Sequence, residues 1–206
     1  MIDDTIAGPE SHITDQTSVS LLERVRNRDD VAWQRLVDLY SPLVFSLCRR
    51  SGLKSEDASD IMQEVFAAIA RKIGDFRRDR PGDTFRGWVR IITRNEIRML
   101  FRRIKDQAHA VGGTSANVRL QEIAEDPLVE SETADNEERS GLYHRALELI
   151  RNEFEEQTWK AAIETIVSGR SSVDVAADLG MTPGAVRQAK YKVLRKLRQE
   201  LGEVLD

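Results

Sequence analysis

The side chains best suited to covalent or metal chemistry are sparse in this 206-residue chain, and their placement argues against such chemistry. His12, His109 and His144 are far apart and have no partner at catalytic or metal-ligand spacing. The carboxylates are scattered, with no clustered set for a two-metal site. Cys48 is the only cysteine, which excludes an intramolecular disulfide and a multi-cysteine metal centre. It lies between Leu47 and Arg49 in an apolar-periodic stretch, where a small buried hydrophobe is expected. We therefore assign no catalytic residue, no metal ligand and no cofactor, and reject an enzyme. The chemistry that the residues do support is polyanion binding. From Thr84 to Arg103 the chain reads TFRGWVRIITRNEIRMLFRR, with Arg86, Arg90, Arg94, Arg98, Arg102 and Arg103 mostly four apart. Asn95 lies among them, and Glu96 is the only acid. Arginines one helical turn apart repel one another, so helix stability does not account for the stripe. A nucleic-acid backbone lying along it does. Phe76, Phe85 and Trp88, interleaved with Arg77, Arg78, Arg80 and Arg86, suit a single strand whose bases stack on aromatic faces. Trp88 also has core spacing, with Ile91, Ile92, Ile97, Leu100 and Phe101 as the other inward residues. For Trp88 alone, core packing is the better-supported role.

A net charge of −4 looks wrong for a nucleic-acid binder until it is divided along the chain. Residues 1–20 carry four acids and no base, and residues 21–106 carry 19 bases against 13 acids. Residues 107–141 carry 2 bases and 8 acids, while 142–206 balance at 10 of each. Two bodies separated by an acidic segment follow from this pattern. Apolar residues at 40%, charged residues at 32% and only 5 prolines point to an all-α fold. No apolar run approaches the roughly 18 residues of a membrane span. The acidic, polar start resembles neither a signal nor a transit peptide, so membrane insertion is not expected and a cytoplasmic location is.

Residues 1–17 lack periodicity and read as a disordered tail. A short helix is predicted over Ser18–Arg28. Asp29 or Asp30 caps the next, whose apolar face runs from Val31 to Cys48, with Pro42 expected to kink or divide it. Ser55 is the expected cap of the helix EDASDIMQEVFAAIARKIGDF, where Ile61, Val65, Ala68, Ile69 and Ile73 form the stripe. Asp60, Gln63, Glu64 and Ala67 lie off it, with Met62 and Phe66 at its margin. That polar patch beside apolar residues has the look of a docking surface, although periodicity alone favours an ordinary amphipathic helix. GDFRRDRPGD then forms a loop around Pro81-Gly82. Residues 106–139 read as a flexible acidic linker, with one short helix near Asn117–Ile123. Such acids can also compete with DNA for the basic faces, although a plain solubilising linker is the better-supported account.

A second helical body opens at Leu142 and is stopped by Gly169. Beyond it lies a short helix, the turn Gly180-Met181-Thr182, and a longer helix with Pro183 in first position. Val186, Ala189, Val193, Leu194, Leu197 and Leu201 point inward. Arg187, Lys190, Lys192, Arg195, Lys196 and Arg198 point outward, with no acid between Asp178 and Glu200. A structural helical hairpin has the same outline. The cap chemistry and the acid-free basic run favour a DNA-binding helix-turn-helix.

These constellations, in this order, resemble the extracytoplasmic-function (group 4) sigma factors of bacterial RNA polymerase, within the sigma-70 family. Asp57, Ala58, Asp60, Gln63, Glu64, Val65 and Phe66 match the family's DAEDLVQEVF. Phe85, Arg86, Trp88, Ile92, Arg94 and Asn95 match its FRAW…RIARN, and Val175, Ala176, Leu179, Gly180, Val186 and Leu197 match its helix-turn-helix. The resemblance implies two small helical domains: a region 2-like bundle over 18–105 and a region 4-like helix-turn-helix over 140–206, joined by the 106–139 linker. It implies a promoter-specificity subunit that binds core RNA polymerase, directs promoter melting and starts transcription. Asp60, Gln63, Glu64 and Phe66 would dock on the clamp helices of the largest catalytic subunit, and the second subunit's flap would be a further partner. Phe85, Arg86, Trp88, Arg94, Asn95 and Arg98 would meet the minus-ten element, where a base is drawn from the stack. Thr182, Arg187, Gln188, Lys190, Lys192 and Arg195 would meet the minus-thirty-five element. An anti-sigma partner is a further expectation. The ending GAVRQAKYKVLRKLR departs from the family's commonest form, GTVKSRLHRARRALR, so the resemblance does not name the promoter bases.

Overall fold

The computed structural model describes residues 20–111 and 132–205, and among them all regular structure is helical. The tail expected at 1–17 and the short helix expected near Asn117–Ile123 lie outside the described residues. Helix α1 (Leu21–Arg26) is capped by Ser20, and α2 (Asp30–Arg50) by Asp29, whose carboxylate accepts from the Ala32 amide at 3.0 Å. That amide and the Arg24 guanidinium hold the Asp29 carboxyl below its ordinary range. Helix α3 (Ser55–Lys72) starts one residue off expectation. Lys54 occupies the cap position without a side-chain bond, so Ser55 opens the helix and does not cap it.

Pro42 does not divide α2, which runs unbroken to Arg50. A proline at 42 supplies no N–H for the carbonyl four residues earlier, that of Asp38. Arg145, from the second half of the chain, donates its Nε–H to that carbonyl at 3.1 Å. The tertiary contact thus replaces the lost helical bond.

Helices α2, α3 and α4 (Phe85–Val111) pack together, with α1 on α2. Their core includes the fully buried Leu36, Tyr40, Val44, Val65, Ile69, Phe85 and Val89. An aromatic cluster closes one end: Phe85 meets Tyr40 and Phe76 edge-on at 5.3 and 5.2 Å, and Trp88 at 5.4 Å. Helices α5 (Glu132–Ile150), α6 (Glu156–Ile166), α7 (Ser172–Leu179) and α8 (Pro183–Leu205) form the second body. The segment boundaries differ from expectation at both ends of the linker, because α4 extends to Val111 and α5 begins at Glu132. Acids expected in a loose tether therefore stand on an ordered helix.

The two bodies are in contact. Helix α5 packs on α2, and α8 packs on α1 and α4 as well as on its own body. The buried Tyr40 hydroxyl donates to the Val204 carbonyl near the end of α8. Glu153 joins Arg35 of α2 and Lys196 of α8, each at 2.6 Å. Burial pushes the Glu153 carboxyl up, but those two cations outweigh it and hold it below the ordinary value.

Candidate nucleic-acid interface

Thr84 starts α4 by accepting the Gly87 amide on its hydroxyl at 2.9 Å, and a Cβ at Gly87 would stand only 3.1 Å from that oxygen. Upstream, Arg80 and Asp83 close the Pro81-Gly82 turn, with the Arg80 amide donating to the Asp83 carboxylate at 2.8 Å. Between loop and helix lies an open cleft of about 280 Å³, lined in part by Phe76, Arg77, Thr84, Trp88, Ile91 and Arg94. Its walls are apolar and cationic together, which suits a base with its attached phosphate.

The arginine stripe does not lie on one face. Residues four apart advance about 40° around a helix of 3.6 residues per turn, so Arg86 and Arg102 diverge by about 160°. Arg86 is accordingly buried at 4% exposure and Arg90 half-buried, while Arg98, Arg102 and Arg103 are exposed. Arg94 is half-buried at the cleft and Asn95 is exposed beside it. The same drift corrects the inward face. Phe85, Val89, Ile92 and Ile97 fill the core, whereas Ile91, expected inside, is 57% exposed at the cleft rim. Phe85 is wholly buried and Trp88 half-buried against it, so neither lies flat to solvent.

Arg86 instead grips α5. Its two terminal nitrogens donate to the Asp135 carboxylate at 2.5 and 3.1 Å. Burial works against the charged guanidinium, yet the Asp135 bond and the charges of Asp135 and Glu138 leave its affinity for the proton raised. Reciprocally, the Arg86 bond holds the Asp135 carboxyl below its ordinary value against the opposing effect of burial. Glu138, its side chain 6% exposed, accepts from Arg90 and Arg50. The sequence allowed acids of this segment to cover the basic faces but did not identify which residues pair. The available signal was the matching +6 and −6 of residues 21–106 and 107–141, together with acids three apart at 135 and 138.

On α3, Asp60, Gln63, Glu64 and Ala67 form one exposed stripe, at the spacing of a single helical face. Phe66 is 8% exposed and meets Trp33 edge-on at 6.3 Å, so it supports that region from beneath.

In the second body, Ser171 caps α7, and Gly180 ends it in the left-handed conformation, φ 62°. Thr182 Oγ1 accepts from the Ala185 amide at 3.2 Å, fixing the start of α8. Val186, Ala189, Val193, Leu197 and Leu201 are buried as expected, at steps of three and four, whereas Leu194, also expected inside, is only half-buried. Thr182, Arg187, Gln188, Lys190, Lys192 and Arg195 are all exposed. Tyr191, unremarked in the sequence, stands among them at 64% exposure.

With bundle and turn in view, comparison with known proteins shows what the chain resembles. Residues 36–107, from α2 through most of α4, match the sequence profile described as Sigma-70 region 2. The particular resemblance is to extracytoplasmic-function sigma factors, and it holds over most of the chain. ECF RNA polymerase sigma factor SigE of Mycolicibacterium smegmatis is 25% identical over 181 residues, covering 84% of this chain and 62% of that protein. RNA polymerase sigma factor CarQ of Myxococcus xanthus is 26% identical over 183 residues, covering 89% of this chain and 97% of the relative. The chain thus spans under two thirds of the first relative and nearly all of the second. Among solved structures, the RsbN–BldN complex matches with TM-score 0.34 and 20% identity, covering 86% of this chain and 97% of the other. CnrH in complex with the cytosolic domain of CnrY matches with TM-score 0.35 and 21% identity, covering 86% and 92%.

Proposed function

We propose that this chain is a promoter-specificity subunit: it binds core RNA polymerase in the cytoplasm, reads two promoter elements and holds one melted strand. The observation that carries the reading is the presence, in one chain, of a sigma-70 region 2 match over 36–107 and a basic helix-turn-helix over 172–205. In this reading the exposed Asp60, Gln63 and Glu64 meet the clamp helices of the polymerase, with Phe66 holding α3 in shape. Arg94, Asn95 and Arg98 meet the minus-ten strand. The cleft beside Trp88 and Ile91 receives a base taken out of the stack, an exchange in which aromatic contact replaces lost stacking. Helix α8 enters the major groove of the minus-thirty-five element. There Gln188 is suited to pairing with an adenine edge, while the Lys and Arg residues neutralise phosphates.

Two tethered weak sites gain affinity only when both are engaged, which requires the halves to separate to the promoter's span. Core polymerase supplies that separation. The test is a mobility shift of promoter DNA by the chain alone, core alone, and both. Specific binding only with both supports the reading. Tight specific binding by the chain alone overturns it in favour of a free-standing DNA-binding regulator.

A further inference from the structure

Three guanidinium groups from two helices converge between α2, α4 and α5: Arg50 of α2, Arg86 and Arg90 of α4. Two carboxylates one helical turn apart on α5, Asp135 and Glu138, fill the space among them. Arg90 reaches both, donating to Glu138 and lying 2.9 Å from Asp135. Without those carboxylates, three like charges would face one another at an otherwise sheltered site. Such a site demands an anion with several acceptor oxygens and suits a phosphodiester as well as a carboxylate pair. Its occupant here is a segment of the same chain, beside the strip that the proposed function gives to DNA.

A charged contact of this kind is a poor choice for permanent packing, since well-packed apolar side chains of similar volume stabilise as well or better. It is a good choice for a contact that must open. Separated arginines and carboxylates regain water, whereas a separated apolar seam leaves hydrophobic surface exposed. The remaining ties between the halves include polar ones, Arg145 on the Asp38 carbonyl, Arg35 on Glu153 and Tyr40 on the Val204 carbonyl, beside the packing of α8 on α1 and α4.

We infer that Asp135 and Glu138 are an internal stand-in for nucleic-acid phosphate, and that they hold the chain closed with Arg86 and Arg90 withheld from DNA. Release of α5 uncovers a three-arginine phosphate site formed by Arg50, Arg86 and Arg90. This rests on the assignment of α4 to the promoter strand. Closed chain and DNA then compete for the same guanidiniums, so apparent DNA affinity falls by the fraction of molecules that are open.

The test uses the full chain with the near-isosteric double change Asp135→Asn and Glu138→Gln. Binding of a short fluorescein-labelled single strand is followed by anisotropy, and helix content by circular dichroism. The double variant should bind about ten-fold tighter than the unaltered chain, the size of an ordinary coupling between sites. Tyr40→Phe, which leaves the carboxylates and guanidiniums in place and removes the hydroxyl that donates to the Val204 carbonyl of α8, is the second lever and should tighten binding about three-fold. Affinities within two-fold of the unaltered chain for both variants, at unchanged helix content, overturn the inference. Transcription with core enzyme separates the two layers. Initiation by the unaltered chain without tightening in the variants removes the clasp alone. Tightening without core-dependent initiation keeps the clasp and removes the sigma reading beneath it.

Discussion

Phe85 offers a test of how α4 divides its residues between core and ligand. Its ring is wholly buried and meets Tyr40, Phe76 and Trp88 at centroid distances of 5.2 to 5.4 Å. The change Phe85→Ala removes a ring from a site walled by three other rings, which cannot collapse to fill the gap. Large-to-small changes of this type cost about 3–5 kcal/mol. The upper half is expected here, because edge-on and tilted aromatic pairs add to simple burial. At about 2–4 °C per kcal/mol for a chain of this size, melting should fall by roughly 8–20 °C. Thermal unfolding followed by tryptophan fluorescence reads the loss, with Trp33 and Trp88 in the same bundle. Phe85→Leu, which keeps much of the volume, should recover most of it. A loss under about 1 kcal/mol accompanied by abolished single-strand binding would refute the reasoning and return Phe85 to direct contact with DNA.

Other outcomes follow from the same geometry. Reversing charge at the exposed Asp60 and Glu64 should weaken co-purification with core polymerase at least ten-fold and leave melting within about 2 °C, since neither residue packs on the core; unchanged co-purification would contradict the docking role. Carboxyl NMR titration should place Asp135 below its ordinary 3.8, because Arg86 donates to its ionised form against the effect of burial, with Arg90 and Arg139 adding their charge nearby. Since the folded value is depressed, its stabilisation is complete above 3.8 and is lost as pH falls through the lower folded value; a midpoint at or above 3.8 would contradict the pair. Gly180→Ala should cost about 1–2 kcal/mol purely through its left-handed backbone, since a Cβ there meets no atom within 4 Å, and unchanged melting would count against that turn geometry.

Much of the architecture was legible because local chemistry and global packing agree. Asp29, Gly180, Thr182 and Pro183 announced their helix boundaries, and α8 buries most of the residues that its period of three and four requires. Where the expectation failed, a long-range contact had intervened. Pro42 reads locally as a break, and Arg145, more than a hundred residues on, satisfies the carbonyl that the proline leaves without its helical donor. Ile91 and Val89 exchanged places because a stripe spaced by four winds around the helix, and short-range spacing does not fix which winding faces the core. The candidate site was legible as a charge pattern, with Asn95, Arg98, Arg187 and Lys190 exposed as their positions suggested. Its closure was legible only as a competing acidic tether, not as particular pairs. The acids at 135 and 138 read as a solvated tether until α5 is seen to begin at Glu132 and carry them under Arg86 and Arg90.

The central claim is that this chain gives core polymerase a promoter preference that the polymerase lacks by itself. Purified chain, core enzyme and genomic DNA from the source organism, with transcript ends mapped, measure it directly. The account predicts a discrete set of new start sites preceded by shared minus-ten and minus-thirty-five sequences, lost when Arg94 and Asn95 are changed to alanine. A transcript pattern identical to that of core enzyme alone would contradict it.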